Sequence, residues 1–175
     1  WSHLELRRFF GYEGILNKDT AEEVWALCNA KLQQPDFGVR GLIARSNVET
    51  ICTTDDPIDS LEWHEKIAAD PTIEVVVGPS YRPDKAVNIH KAGWKEYLAL
   101  LAASVGKESL PTMQDLLDAL VARLEYFHAR GCKASDHGLD YVPFADYTVE
   151  QADAVYQKGL KGEKLTTEEV EGFQT

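Results

Sequence analysis

Val48-Glu49-Thr50-Ile51-Cys52-Thr53, running without a spacer into Thr54-Asp55-Asp56-Pro57, decides the fold of this chain. The first six positions are rich in β-branched residues and read as a buried strand. Two later stretches repeat the arrangement. Ile73, Val75, Val76 and Val77, within 72–79, precede Tyr81-Arg82-Pro83-Asp84-Lys85, and Cys132-Lys133-Ala134 precede Ser135-Asp136-His137-Gly138-Leu139-Asp140. Near-continuous apolar strands are the type found in parallel sheets. Polar residues at the carboxyl ends of successive parallel strands are where an α/β barrel builds its active site. An arginine between two acidic clusters points to a pocket for a small, anionic, hydroxylated molecule.

The segments between the strands read as helices. Asp56-Pro57-Ile58-Asp59 has an N-cap residue, a first-turn proline and an acid at the positive end of the dipole. Leu61, His64, Glu65 and Ala68 would continue that helix to Asp70-Pro71. Trp94, Tyr97, Leu98 and Leu101 share one helical face and read as ordinary core. Thr112-Met113-Gln114-Asp115 resembles an N-terminal cap, and Leu116, Leu117, Leu120, Leu124 and Phe127 mark the core face of a long helix ending at Gly131.

Upstream, Thr20-Ala21-Glu22-Glu23 has the form of a capping box. Val24, Leu27, Cys28 and Leu32 follow at helical spacing, before a break over 33–38 and a short helical or turn piece over 41–44. Thr166-Thr167-Glu168-Glu169 looks like one more helix start. The expected organisation is a helical subdomain over 1–46, a βαβαβ segment over 47–147, and a truncated helical tail over 148–175. Three strands are few for a self-sufficient sheet, so the chain is expected to be an internal piece of something longer. Its open sheet edges predict association into a homo-oligomer, strand swapping or aggregation.

At 175 residues the chain can bury one sizeable core, and 44% of its residues are hydrophobic. Its 18 basic and 29 acidic residues leave a formal charge of -11, which repels phosphate backbones and anionic membranes. No nucleic-acid partner is therefore expected. No apolar run approaches the roughly 20 residues that span a bilayer, so no membrane partner is expected either. Cys28, Cys52 and Cys132 are far apart and unpaired by any short spacing. They read as buried, reduced thiols of a cytoplasmic protein rather than a disulfide framework or zinc site.

Taken together, four motifs resemble the uronate isomerase (glucuronate isomerase) family of the amidohydrolase superfamily. They are His3-Leu4-Glu5-Leu6-Arg7-Arg8, Thr53 through Leu61, Arg82-Pro83-Asp84-Lys85-Ala86, and Gly131-Cys132-Lys133-Ala134-Ser135-Asp136-His137. The resemblance is collinear through nearly the whole chain. It implies a partial (β/α)8 barrel: about three parallel strands of α/β type with an N-terminal helical insertion. The implied reaction is aldose–ketose isomerisation of D-glucuronate to D-fructuronate and of D-galacturonate to D-tagaturonate through an enediol. The family's H-x-H metal pair is absent here. A divalent metal, Zn2+ by resemblance, would be held by residues outside this segment, so none is expected here and the chain alone is expected to be inactive.

By the same resemblance Arg82 contacts the substrate, and a guanidinium fork suits a uronate carboxylate. Its alternative is a surface ion pair with Asp84. Asp136 is expected to face the substrate hydroxyls and act in catalysis, as a general base if its pKa is raised; its alternative is a turn cap. His137 would orient Asp136 or bond a substrate hydroxyl. Asp55 is expected to face the pocket, whereas Asp56 is assigned to the helix N-cap. His3, His64, His90 and His128 fall in helical patterns and read as solvated or packed. Two rival functions remain: a related metal-dependent hydrolase, and a non-catalytic helical interaction module.

Overall fold

The computed structural model describes residues 1–139 and 141–175, so Asp140 of the third cluster lies outside the described residues. It divides into two compact units, Trp1–Ile51 with Asp70–Val76, and Cys52–Ala69 with Val77–Thr175.

The first unit carries α1 (Ser2–Glu5), which runs into a π-turn over Leu6–Phe10, then α2 (Ala21–Leu32), a 3-10 turn at Pro35–Phe37, and α3 (Val39–Arg45). Thr20 does not form the expected capping box. Its backbone is already helical, and its hydroxyl donates to the Ile15 carbonyl at 2.7 Å. Asn17 takes over, its side-chain oxygen accepting the N–H groups of Asp19 and Thr20 at 2.8 and 3.2 Å. Of the expected stripe on α2, Val24 is buried while Leu32 is exposed. Phe37 is buried under Arg45, whose guanidinium lies 4.6 Å from the ring centre and pairs with Asp36. Gly41 is required here, because a Cβ would sit 2.0 Å from the Asp36 carbonyl oxygen.

Asp70 and Thr72 form a side-chain turn in this unit. The carboxylate accepts the Thr72 hydroxyl at 2.6 Å and its N–H at 2.9 Å, and Arg40 donates to it at 2.8 Å. The Thr72 bonds, followed by Arg40, pull the Asp70 carboxyl down to about 2. That turn occupies the first residues of the stretch expected to be the second strand.

The sheet has three strands in the order β1 (Thr50–Asp55), β2 (Val76–Tyr81) and β3 (Ala134–Ser135). β2 and β3 are parallel, with Ser80 opposite Ala134 and Tyr81 opposite Ser135. Sequential parallel order with one-handed crossovers places the connecting helices on one face, as in a barrel wall. Each strand starts later than the apolar runs imply. β1 ends at Asp55, and β2 contains Pro79, which the sequence pattern placed at its end. Pro79 is fully buried in the middle strand, where proline is rare because it has no N–H for the ladder.

The helix after β1 also starts late. α4 spans Glu62–Ala68, and Asp56 begins a tight turn instead, its carbonyl accepting the Asp59 N–H at 2.9 Å. The reason lies in α7 (Met113–Ala129). Arg123, buried on that helix, donates from Nε to the Pro57 carbonyl at 2.5 Å and from Nη2 to the Asp59 carbonyl at 2.7 Å. Tyr126 donates to the Ser60 carbonyl at 2.6 Å. With these carbonyls engaged by α7, helix begins only after Leu61, which is held at φ 57 by burial among Tyr81, Phe127 and Cys132.

The inward face of α7 is therefore Leu116, Ala119, Arg123 and Phe127, while Leu117 and Leu124 of the expected core face are exposed. The remaining helices are α5 (Asp84–Val87), α6 (Trp94–Ser104), α8 (Val149–Lys161) and α9 (Thr167–Gln174). Trp94, Tyr97, Leu98 and Leu101 are buried as expected. Trp94 meets Tyr156 edge-on at 5.5 Å and Phe173 at 6.3 Å, joining α6, α8 and α9. Gly159 permits this close approach, since a Cβ there would come within 2.7 Å of Ile89. α7, α8 and α9 each open with a capping box, at Thr112, Thr148 and Thr166. Of the cysteines only Cys132 is buried; Cys28 is half-buried, and Cys52 is exposed on β1, against expectation. Period-2 alternation turns Cys52 to the face opposite Thr53.

Arg123→Met keeps the aliphatic stem but strips the buried Pro57 carbonyl and the partly buried Asp59 carbonyl of their donor, and should cost about 2–4 kcal/mol of stability. Urea denaturation of the chain checks this; Arg123→Lys, with no fork to serve both carbonyls, should recover only part of the loss.

Candidate functional site

The parallel register sets up the site. One step beyond the Tyr81–Ser135 pair, the Arg82 N–H donates to the Asp55 carbonyl at 2.9 Å and the Asp136 N–H to the Tyr81 carbonyl at 3.1 Å. The ends of the strands are thereby aligned, and each contributes one side chain to a common cluster. Arg82 donates from Nη2 to Asp136 Oδ2 at 2.6 Å, and the Thr54 hydroxyl donates to the same oxygen at 2.9 Å. Arg82 and Asp136 are each a little more than a third exposed, so the cluster is open to a small molecule.

Asp84, at the start of α5, holds the other side of Arg82. Its Oδ2 lies 3.9 Å from Arg82 Nε and accepts the Gly138 N–H at 2.7 Å, while Oδ1 lies 3.2 Å from His137 Nδ1. Arg82 Nε is buried without a hydrogen-bond partner. The ion pair with Asp84 is thus the looser of two, and the guanidinium is clamped between carboxylates from two loops. His137 bonds Asp84, not Asp136.

Asp136 does not have the electrostatics of a general base. The Arg82 hydrogen bond, followed by that of Thr54, holds its carboxyl below the usual carboxylate range. A base working near neutrality needs the opposite displacement. Ionised Asp136 is instead a fixed acceptor.

Asp56 serves a different purpose from the helix cap expected of it. Tyr97 donates to its Oδ1 at 2.9 Å and Lys85 Nζ lies 3.1 Å from its Oδ2. Burial, with Asp56 beside it, pushes the Tyr97 hydroxyl far up, so it stays a donor. A cavity of about 390 Å³ opens among Thr54, Asp55, Asp56, Asp59, Arg82, Asp84 and Lys85, within the size range of small-molecule sites. Asp55 borders it, but its carboxylate is engaged elsewhere. Oδ2 accepts the Thr53 hydroxyl at 2.6 Å and the Ser80 N–H at 3.3 Å, and lies 3.7 Å from His64 Nε2. Of the residues expected from the sequence, the structure brings together Arg82 and Asp136, with His137 next to them through Asp84.

Thr54, Asp84, Lys85 and His64 went unassigned. Alternation along β1 was the available signal for Thr54, because a residue between two inward neighbours must face the other way. Among the described residues no group of three or more His, Cys, Asp or Glu side chains is placed to hold a metal ion.

Asp136, depressed in the folded state, contributes stability that is complete above the unfolded-state value of roughly 3.9 and is lost as pH falls through the lower folded value. The stability difference between the native chain and Asp136→Asn should therefore be flat from about pH 5 to 8 and shrink on further acidification. Denaturation titrated against pH tests this; a difference that grows toward acid would contradict the Arg82 pairing.

Comparison with known proteins is consistent along the whole chain. The glucuronate isomerase family model matches residues 1–175. The uronate isomerase of Lachnospira eligens is 52% identical over 175 residues, and that of Lachnoclostridium phytofermentans 51%; each alignment covers 100% of this chain and 37% of the relative. Among solved structures, uronate isomerase from Thermotoga maritima superposes with a TM-score of 0.88 at 37% identity, covering 99% of this chain and 38% of the other. Glucuronate isomerase from Caulobacter crescentus gives a TM-score of 0.87 at 27% identity, over 99% and 36%. The chain thus spans little more than a third of the length of its relatives, and its three parallel strands with their helices are a partial segment of a (β/α)8 barrel. By sequence and by fold, this chain belongs to the glucuronate isomerase family.

Proposed function

We propose that the whole protein containing this segment interconverts D-glucuronate with D-fructuronate, and D-galacturonate with D-tagaturonate. The observation that carries the reading is the Arg82 guanidinium, held by Asp136 and Asp84 at the mouth of a cavity of about 390 Å³. A guanidinium has five donors. With one Nη2 proton given to Asp136 and Nε buried, the Nη1 protons and the second Nη2 proton serve the uronate carboxylate and fix the register of the sugar chain. Asp136, kept ionised, accepts hydroxyl protons of the open-chain sugar in hydrogen bonds. His137, held by Asp84, completes the substrate-facing ring on that side, and Asp55 borders the cavity while its carboxylate stays with Thr53 and the Ser80 N–H.

The reaction moves a proton from C2 to C1 through an enediol, and needs dipoles fixed where charge develops. This segment supplies orientation: Arg82 at the carboxylate end, Thr54 and Asp136 at the hydroxyls. A divalent metal would be held by residues of the whole protein outside these 175. Residues 1–46 form the helical insertion of the barrel in this reading, and the protein works in the cytoplasm, where its thiols stay reduced. No described helix is long and apolar enough to cross a membrane.

Two outcomes follow. In the whole protein, Arg82→Ala should reduce kcat/KM for D-glucuronate by roughly 100-fold or more, as for loss of a charged, bidentate contact; an unchanged kcat/KM would remove Arg82 from the site. The isolated 175-residue chain, whose β1 and β3 are sheet edges, should self-associate in sedimentation velocity. A monomer at high concentration would contradict this.

A further inference from the structure

Thr53, Asp55 and His64 form a buried chain of short contacts on the side of β1 opposite Thr54. Thr53 Oγ1 is 2.6 Å from Asp55 Oδ2 and 2.7 Å from His64 Nε2. The side chains of His64 and Asp55 are only 12% and 13% exposed. A carboxylate can only accept, so the single Thr53 hydroxyl proton goes to Asp55. The hydroxyl oxygen must then accept from His64, which fixes the imidazole with its proton on Nε2. The other ring nitrogen, Nδ1, is buried without a hydrogen-bond partner, which a lone pair tolerates better than an N–H would.

Asp55 passes this order to the neighbouring strand. Its Oδ2 accepts the Ser80 N–H at 3.3 Å and its carbonyl accepts the Arg82 N–H at 2.9 Å. One residue of β1 thus holds the backbone on both sides of Tyr81, at the position from which Arg82 leaves the sheet. The Arg82 side chain projects beyond the last ladder pair, and its preceding peptide is held by the Asp55 carbonyl on one side and the Asp136 N–H on the other.

We propose that His64 is a positioning residue. Through the Thr53 hydroxyl it orients Asp55, and Asp55 fixes the backbone of Arg82 so that the guanidinium meets the substrate. The inference rests on the reading of Arg82 as the substrate anchor.

The test uses the whole protein with His64→Leu, His64→Gln, Thr53→Val and the His64→Leu/Thr53→Val double variant. His64→Leu and Thr53→Val should each raise KM for D-glucuronate by roughly 10- to 100-fold with little change in kcat, the pattern of a misplaced binding group. His64→Gln, which keeps an N–H within reach of Thr53, should restore KM to within about 3-fold of the native protein. The double variant should be no worse than either single one, because both cut the same chain. An unchanged KM in His64→Leu, a glutamine no better than leucine, or additive losses would each overturn the proposal.

A second measurement does not depend on turnover. Nitrogen-15 spectra of the histidine-labelled native protein should show one imidazole fixed as the Nε2–H tautomer, assigned to His64 by its loss in His64→Gln. An Nδ1–H tautomer there would overturn the proposal by itself. If the native protein showed no uronate turnover, the isomerase reading would fall, and the tautomer would still decide whether His64 donates to Thr53.

Discussion

A buried guanidinium on the long helix is the constraint on which the active face depends. Arg123 holds two carbonyls of the loop after β1, and the strand end cannot move without breaking bonds to Pro57 and Asp59. The ring of Tyr126, 3.9 Å from that guanidinium, closes over it and holds the Ser60 carbonyl as well. Thr53 through Asp56 are therefore delivered to the sheet edge by packing from below. Burying this charge is tolerable because carbonyl oxygens replace the water it loses.

Above that support the electrostatics are lopsided. Arg82 and Lys85 share their surroundings with Asp56, Asp84 and Asp136, so carboxylates outnumber cations. An anion entering here gains from Arg82 only if the acids are already engaged. The structure meets that condition: Tyr97 and Lys85 hold Asp56, Gly138 and His137 hold Asp84, and Thr54 shares Asp136 with Arg82. Fixed acids beside a fixed base suit a ligand that carries one carboxylate and several hydroxyls.

The strands, their parallel type and the motif residues at their ends were legible in the sequence, because apolar runs and polar clusters are local signals. Their boundaries were not. The second strand starts late because Asp70 and Thr72 close a side-chain turn with Arg40, a partner 30 residues away for Asp70. The helix after β1 starts late because its first carbonyls belong to Arg123, 66 residues from Pro57. A charged residue at a core position of α7 is invisible to hydrophobic periodicity, which chose Leu124 in its place. Within the site, Arg82 and Asp136 could be read from motif and strand position. His64 could not, since its meaning lies in a hydroxyl on another element. The condition for Asp136 to act as a base, a raised pKa, could not be read from the sequence, as proximity to Arg82 emerges only once strands are in register.

The capping boxes at Thr112, Thr148 and Thr166 bear on how the chain acquires its shape. Each start signal is written within four residues, so α7, α8 and α9 can nucleate without waiting for distant partners. β2 and β3, by contrast, pair across the long connection that holds α5, α6 and α7, and must wait for its slower closure. The carboxyl-terminal half thus carries its helix starts locally, while the alignment of the strand ends depends on partners far away in the chain.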